Sequence, residues 1–179
     1  MMLDQKDPML KVSSQQFDFD VGYTLPNGDH LDASDLFDIL KTNMIANKVM
    51  GLSAIQMGIM SRVFVMGNYD DPSSVMEVLN PKITDFSDNI SIMEESCASY
   101  PGLFVKIKRP TTIRARYTKV DGEVRTDSFG GLTARVFQHQ YDLLDGLNFR
   151  DLANKYHLEQ AEKKRATLIR RMKRGHALA

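Results

Sequence analysis

Residues 111–129, TTIRARYTKVDGEVRTDSF, leave this chain little conformational freedom. Apolar and polar side chains alternate on both sides of Asp121-Gly122, and a period of two is what a half-buried strand requires. An Asp-Gly pair between two such runs signals a reversal, because glycine accepts the positive φ that a tight turn needs. The segment predicts an antiparallel hairpin whose dry face must be covered by another layer. The following residues supply a candidate. After Gly130-Gly131 the period changes, and Leu132, Val136, His139 and Leu143 fall at i, i+4, i+7 and i+11, one face of a helix. That helix is expected to close near Asp145-Gly146, where glycine suits a C-terminus.

The rest of the chain fits around this pair of elements. Ser34 is the expected N-cap of a first helix, with Asp35 in its first turn. Leu36, Ile39, Leu40, Met44 and Ile45 form its apolar stripe to about Val49, and Gly51 is its expected stop. Short β-type runs are expected at 61–66, 75–80, 90–93, 103–108, 111–120 and 123–129. Residues 1–30 read as irregular, punctuated by Asp7-Pro8 and Pro26-Asn27-Gly28. A third helix is expected over about 150–174. Strands outnumber helices, and the two strong helices flank the strand-rich middle, which argues α+β rather than a parallel βαβ array. A chain of 179 residues without repeats divides most simply into one body, 1–150, and a helical tail, 151–179.

Charge separates those two parts. Residues 161–179 carry seven basic groups (Lys163, Lys164, Arg165, Arg170, Arg171, Lys173, Arg174) against Glu162 alone. The tail is +6 in a chain of zero net charge, so the body is −6. Apolar runs of a few residues fall far short of the ~20 that span a bilayer. The N-terminus, MMLDQKDPML, has no signal-peptide pattern. A single cysteine, Cys97, forms no internal disulfide, so a cytoplasmic location is expected. Core filler, reactive thiol and metal ligand all remain open for it on composition.

The chemistry concentrates in FQHQYDLLDG, residues 137–146. In His-Glu-x-x-His two imidazoles one turn apart grip a metal ion, and the glutamate takes a proton from its bound water. Here His139 is followed by Gln140 and, one turn later, by Leu143. Leucine has no lone pair to give, and an amide is no base near neutral pH. Read alone, His139 is a core histidine.

Two further stretches change that reading. MGLSAIQMGI (50–59), EESCASYPG (94–102) and FQHQYDLLDG (137–146) stand in the order and spacing of the three motifs of the peptide deformylase family. Those motifs run roughly G-φ-A-A-x-Q, with φ apolar, E-G-C-L-S and Q-H-E-x-D-H. VLNPKI (78–83), IKRP (107–110) and DGEV…GGLTARVFQH (121–139) resemble the connecting segments, so the resemblance covers about residues 7–152. It implies a deformylase fold, with antiparallel sheets around a central helix carrying the third motif, plus a C-terminal helix. It implies hydrolysis of the N-formyl group from N-formylmethionyl peptides by a divalent metal of the iron or zinc type.

Position by position, the resemblance implies that Cys97 and His139 bind the metal, with the third ligand position occupied by Leu143. Gln140 replaces the general base. Gln56 and the Ala98 N–H would hold the oxyanion, and Glu95 with Arg109 would form an internal ion pair. Gly51 would leave room for the substrate's main chain, and Leu132 and Val136 would line the substrate site. Ser53, Ser96 and Ala98 depart from the pattern as well. Weak or absent metal binding and an impaired or inactive deformylase are therefore expected. One alternative is an active deformylase with a rearranged site, using Asp142, at i+3 from His139, or His157 as a ligand. Another is a non-catalytic module that binds nascent chains by strand addition. The basic tail resembles the C-terminal helix with which bacterial deformylases dock on the ribosome, so ribosome or rRNA binding is a third expectation. Its apolar face, Leu168 and Met172, is thin for a membrane surface.

Overall fold

The computed structural model of the chain describes residues 2–176, with side chains described through Arg171. Met172, Lys173 and Arg174 therefore lie outside the described side chains. The first thirty residues are not wholly irregular: β1 (Tyr23–Thr24) pairs antiparallel with β2 (His30–Leu31) across the Pro26-Asn27-Gly28 turn. Helix α1 spans Ala33–Ala46. Its cap is Asp32, not Ser34. The Asp32 carboxylate accepts from Asp35 N at 2.8 Å and the Asp35 carboxylate accepts from Asp32 N at 3.0 Å, a reciprocal box that two carboxylates make as well as Ser and Glu do. The helix ends at Ala46, short of Val49, and Gly51 opens a strand instead of stopping the helix.

That strand, β3 (Gly51–Ser53), is the edge of a five-stranded antiparallel sheet. β4 (Val63–Met66), β5 (Met76–Phe86), β8 (Thr112–Thr118) and β9 (Val124–Gly130) follow in the order β3-β4-β5-β8-β9. β5 runs six residues past its expected end because its outer half pairs with β8 through two register shifts. The predicted hairpin is β8–β9, with Thr118 opposite Val124 and the turn carried by Gly122 at φ +84°. A second sheet holds only β6 (Ile90–Glu95) and β7 (Val105–Pro110).

Helix α2 (Gly131–Leu144) lies between the two sheets. Ala134, Phe137 and Leu144 pack with Phe64, Val78, Ile113 and Ala115 of the large sheet. Leu143 points the other way, into a cluster with Ile55, Cys97, Val105, Ile107 and Phe149. Burial on both sides is what fixes the rotation of α2, since each buried large side chain contributes roughly 1.5–3 kcal/mol. Helix α3 spans Lys155–His176 and begins later than 150 because Asn148–Asp151 forms a turn, with Asn148 N donating to Asp151 at 3.1 Å. Its first turns are anchored: Ala161 and Leu158 join the cluster around Cys97.

Candidate active site

Three local devices deliver the site residues to one place. The 3-10 turn after β3 (Ala54–Met57) carries Gln56, whose Oε1 accepts from Ser53 N at 3.0 Å and Ser53 Oγ at 3.1 Å. Pinning the oxygen turns the amide nitrogen outward, toward Cys97 Sγ at 3.4 Å and Ser99 Oγ at 3.5 Å. The Ser53 hydroxyl, a departure from the family's alanine, thus steadies the amide. The end of β6 places Glu95 and the following turn places Cys97 and Ala98. Helix α2 presents His139 and Gln140.

Gly51, Gln56, Cys97, Ala98, Leu132, Val136, His139 and Gln140 all line one cavity of about 360 Å³. Cys97 and His139 are 6% and 8% exposed, and both side chains border that cavity. Leu132 is 46% exposed at the mouth. Leu143 is 1% exposed and does not line the cavity; it belongs to the buried cluster that also holds Cys97. Gly51 has a reason of its own. A Cβ there would stand 2.9 Å from Val136 Cγ1 and 3.1 Å from Gln140, so glycine is what lets α2 approach β3.

Glu95 organises the floor. Its carboxylate accepts from Arg109 Nε at 2.6 Å and Nη2 at 3.0 Å, from Arg135 Nη1 at 2.7 Å, and faces His139 Nδ1 at 3.0 Å. Burial would raise its pKa, but the His139 and Arg109 hydrogen bonds outweigh burial and hold it at about 2. An anionic acceptor at Nδ1 fixes the imidazole with Nδ1 protonated and its other nitrogen directed away from Glu95. Burial would likewise lower the His139 pKa, yet bonds to Cys97 and Glu95 push it up to about 9.

Arg109 and Glu95 are the expected pair, and the structure adds two members. Arg109 Nη1 also donates to Asp142 at 2.7 Å, so Asp142 is engaged away from the cavity. Arg135, 4% exposed, reaches Glu95, the Ile107 carbonyl and Ser91. Sequence reasoning missed Arg135 because arginine on a helix usually reads as a solvated charge. Its signal was the spacing, four residues before His139 on the same face. His157 lies on α3 in a separate groove with Phe104 and Lys106.

The donor set can be tested against a catalytic metal. One thiolate and one imidazole fall short of the three protein ligands such sites use, and the third position carries an aliphatic side chain. Among the described residues no three His, Cys, Asp or Glu side chains are grouped to hold an ion. The residues present do not fit that group. Of the four buried side-chain polar atoms without a partner among the described residues, one belongs to a residue lining this cavity: Gln140 Oε1.

The profile of the polypeptide deformylase family matches residues 2–159. Peptide deformylase 1B, chloroplastic/mitochondrial, of Arabidopsis thaliana is 30% identical over 153 residues, 84% of this chain and 52% of that protein. A peptide deformylase of Thermotoga neapolitana is 42% identical over 98 residues, 55% of this chain and 58% of that protein. The match thus spans little more than half the length of these relatives. Among solved structures, a peptide deformylase from Plasmodium falciparum superposes with a TM-score of 0.81 at 26% identity, covering 98% of this chain and 99% of that one. The Arabidopsis enzyme in complex with an inhibitor gives 0.79 at 26% identity, over 97% and 92%. No helix of the described residues is long and apolar enough to cross a membrane. On the profile and these likenesses together, the chain belongs to the polypeptide deformylase family.

Proposed function

We propose that this chain is a deformylase homologue that binds N-formylmethionyl peptides or nascent chains and has lost most or all metal-dependent hydrolysis. The carrying observation is Leu143, 1% exposed and in the same buried cluster as Cys97, where the family resemblance puts a metal ligand. Gln140 beside His139 supports the same reading, because the loss of a general base typically costs ~10²–10⁴ in rate. The binding parts are in place. The Gln56 amide and the Ala98 N–H face the cavity that holds Gly51 and Val136, and they suit a formyl oxygen. Gln140 Oε1 offers an acceptor to the formamide N–H.

The rearranged-site reading is disfavoured by two contacts: Asp142 is held by Arg109, and His157 lies in another groove. Divalent metal of the iron or zinc type belongs to the family reaction, and binding here is expected to be weak. The lone buried thiol suits a reducing cytoplasm. The basic segment 151–179 is a separate functional unit on this reading, directed at ribosomal RNA. The test is metal content of protein purified without chelator, together with formate release from a formylmethionyl peptide. Less than about a tenth of a metal ion per chain is expected, with retained peptide affinity. One metal per chain with efficient turnover would overturn the reading.

A further inference from the structure

Glu94 borders two hollows. On one side it lines the cavity that holds Cys97 and His139, and on the other a groove of about 540 Å³ between β7 and α3. We infer that the groove continues the peptide site. An N-formylated chain whose first residues lie in the cavity lays its fourth and later residues between β7 and α3, where acidic and apolar side chains are favoured. This rests on the reading that the cavity binds N-formylated amino termini.

Continuity comes from the β6–β7 ladder. Glu94 and Lys106 are directly opposed in its register, so they share one face of the two-stranded sheet. Glu95, the next residue, is buried and meets His139 at the cavity floor. Alternation along β6 thus gives one residue to the floor and its neighbour to the rim. A chain leaving the cavity over Glu94 meets Lys106 next.

The walls suit an extended polypeptide. Phe104 is 56% exposed, Tyr156 65% and Leu168 44%, and all three border the groove. Aromatic side chains left open beside a binding cavity are what peptide interfaces cover. On α3, His157, Gln160, Lys164 and Leu168 stand at i, i+3, i+7 and i+11, so one helix face supplies that wall. Ala161, on the same face, is 7% exposed in the core cluster, which sets the rotation of the helix against β7. Arg165 is engaged by the Pro101 carbonyl and Gln5, and so braces the wall.

Charge selects the occupant. Lys106 and Lys164 are exposed, line the groove and make no ion pair among the described residues. Among the described residues that line it, Glu94 is the one acid, and it stands where the groove meets the cavity. An apolar strip with two unpaired ammonium groups complements a chain that carries both carboxylates and apolar side chains. Nucleic acid fits less well, because Glu94 at the junction would repel phosphate and Leu168 offers no ring on which a base could stack.

The experiment uses the full chain and titration calorimetry. A formylmethionyl tripeptide is compared with formylmethionyl nonapeptides that share its first three residues and continue with Asp, Glu and Leu, or with Lys, Arg and Leu. The acidic nonapeptide is expected to bind at least about tenfold tighter than the tripeptide, and the basic one no tighter. Lys164→Glu and Phe104→Ser are each expected to remove most of that gain. Both residues are exposed and outside the cavity, so tripeptide affinity should stay within about twofold, and circular dichroism checks folding. The acidic segment alone, acetylated, should bind at least about 10²-fold more weakly than the nonapeptide, because anchoring of the amino terminus raises its local concentration. A photoreactive group on the sixth residue should label the strand around Lys106 or α3. Equal affinities for the tripeptide and the acidic nonapeptide overturn this inference and leave the cavity reading intact. A gain that survives both substitutions also overturns it, since the chain then leaves by another route. Binding of an RNA oligomer that both substitutions abolish, without any gain for the nonapeptide, overturns it in favour of an RNA face. Failure of every formylmethionyl peptide to bind overturns both readings.

Discussion

Glu95 takes hydrogen bonds from two guanidinium groups and an imidazole while its side chain is 4% exposed. Breaking a buried ionic group by removing one partner is far costlier than its net contribution, because the others stay buried and unpaired. Glu95→Gln should therefore destabilise the fold by about 3–5 kcal/mol, read from the denaturant midpoint at unchanged slope. Acid should act on the same residue. Its pKa falls from an ordinary 4.5 to about 2, so its contribution is fully present above 4.5 and is lost as pH falls through 2. The shift corresponds to about 3 kcal/mol. An acid titration of the Glu95→Gln variant should lack that component; the same acid sensitivity in both proteins would place the effect elsewhere. Nothing in EESCASYPG announced this network. Glu95 was legible through the family resemblance, but Arg135 becomes its partner, and Asp142 the partner of Arg109, only when α2 rotates them inward.

At the scale of the element, α2 decides what the site can do. Its periodicity was readable, because Leu132, Val136, His139 and Leu143 share a face whatever they touch. The partners were not readable: Phe137 and Leu144 face one sheet and Leu143 the other, and periodicity alone does not name two layers. The cap of α1 at Asp32 was missed for a similar reason, since paired carboxylates at N-cap and N3 look like solvated charge. The close approach of α2 to β3 gives one prediction. Gly51→Ala places a methyl 2.9 Å from Val136 and should cost about 1–3 kcal/mol, seen as a lower melting temperature and weaker peptide binding. The position of Leu143 gives another. Leu143→His puts an imidazole one turn from His139, in the cluster that contains Cys97, and completes a three-ligand set. Without metal the buried imidazole should destabilise by about 1–3 kcal/mol. Added zinc should then raise the melting temperature and protect Cys97 from alkylation. Adding Gln140→Glu should bring turnover as well, because the carboxylate supplies the missing base. If the double variant folds but takes up no metal, the loss extends to Ser96 and Ala98.

For the molecule as a whole, the question is how the basic helix is attached and what its free face meets. Ala161 is 7% exposed in the cluster that holds Cys97, and Leu158 packs against that cluster. Arg165 fastens the next turn, with Nε donating to the Pro101 carbonyl at 2.9 Å and Nη1 to Gln5 at 2.7 Å. Removing the whole helix would strip these contacts from the core, so truncation confounds binding with stability. Charge reversal on the free face does not. Lys163, Arg170 and Arg171 are exposed and have no ion-pair partner among the described residues. If the helix binds rRNA, each phosphate contact releases counterions, and the logarithm of affinity falls linearly with the logarithm of salt, about 0.7–0.9 per contact. The wild-type chain should bind ribosomes at low salt and lose affinity steeply as salt rises. The triple variant Lys163→Glu, Arg170→Glu, Arg171→Glu should bind weakly and reduce that slope by about two to three. Its melting temperature should stay within a degree or two, because exposed, unpaired charges add little to stability. Undiminished binding by the triple variant would move the contact off this face. A matching loss of stability would instead mean that the charges serve the fold.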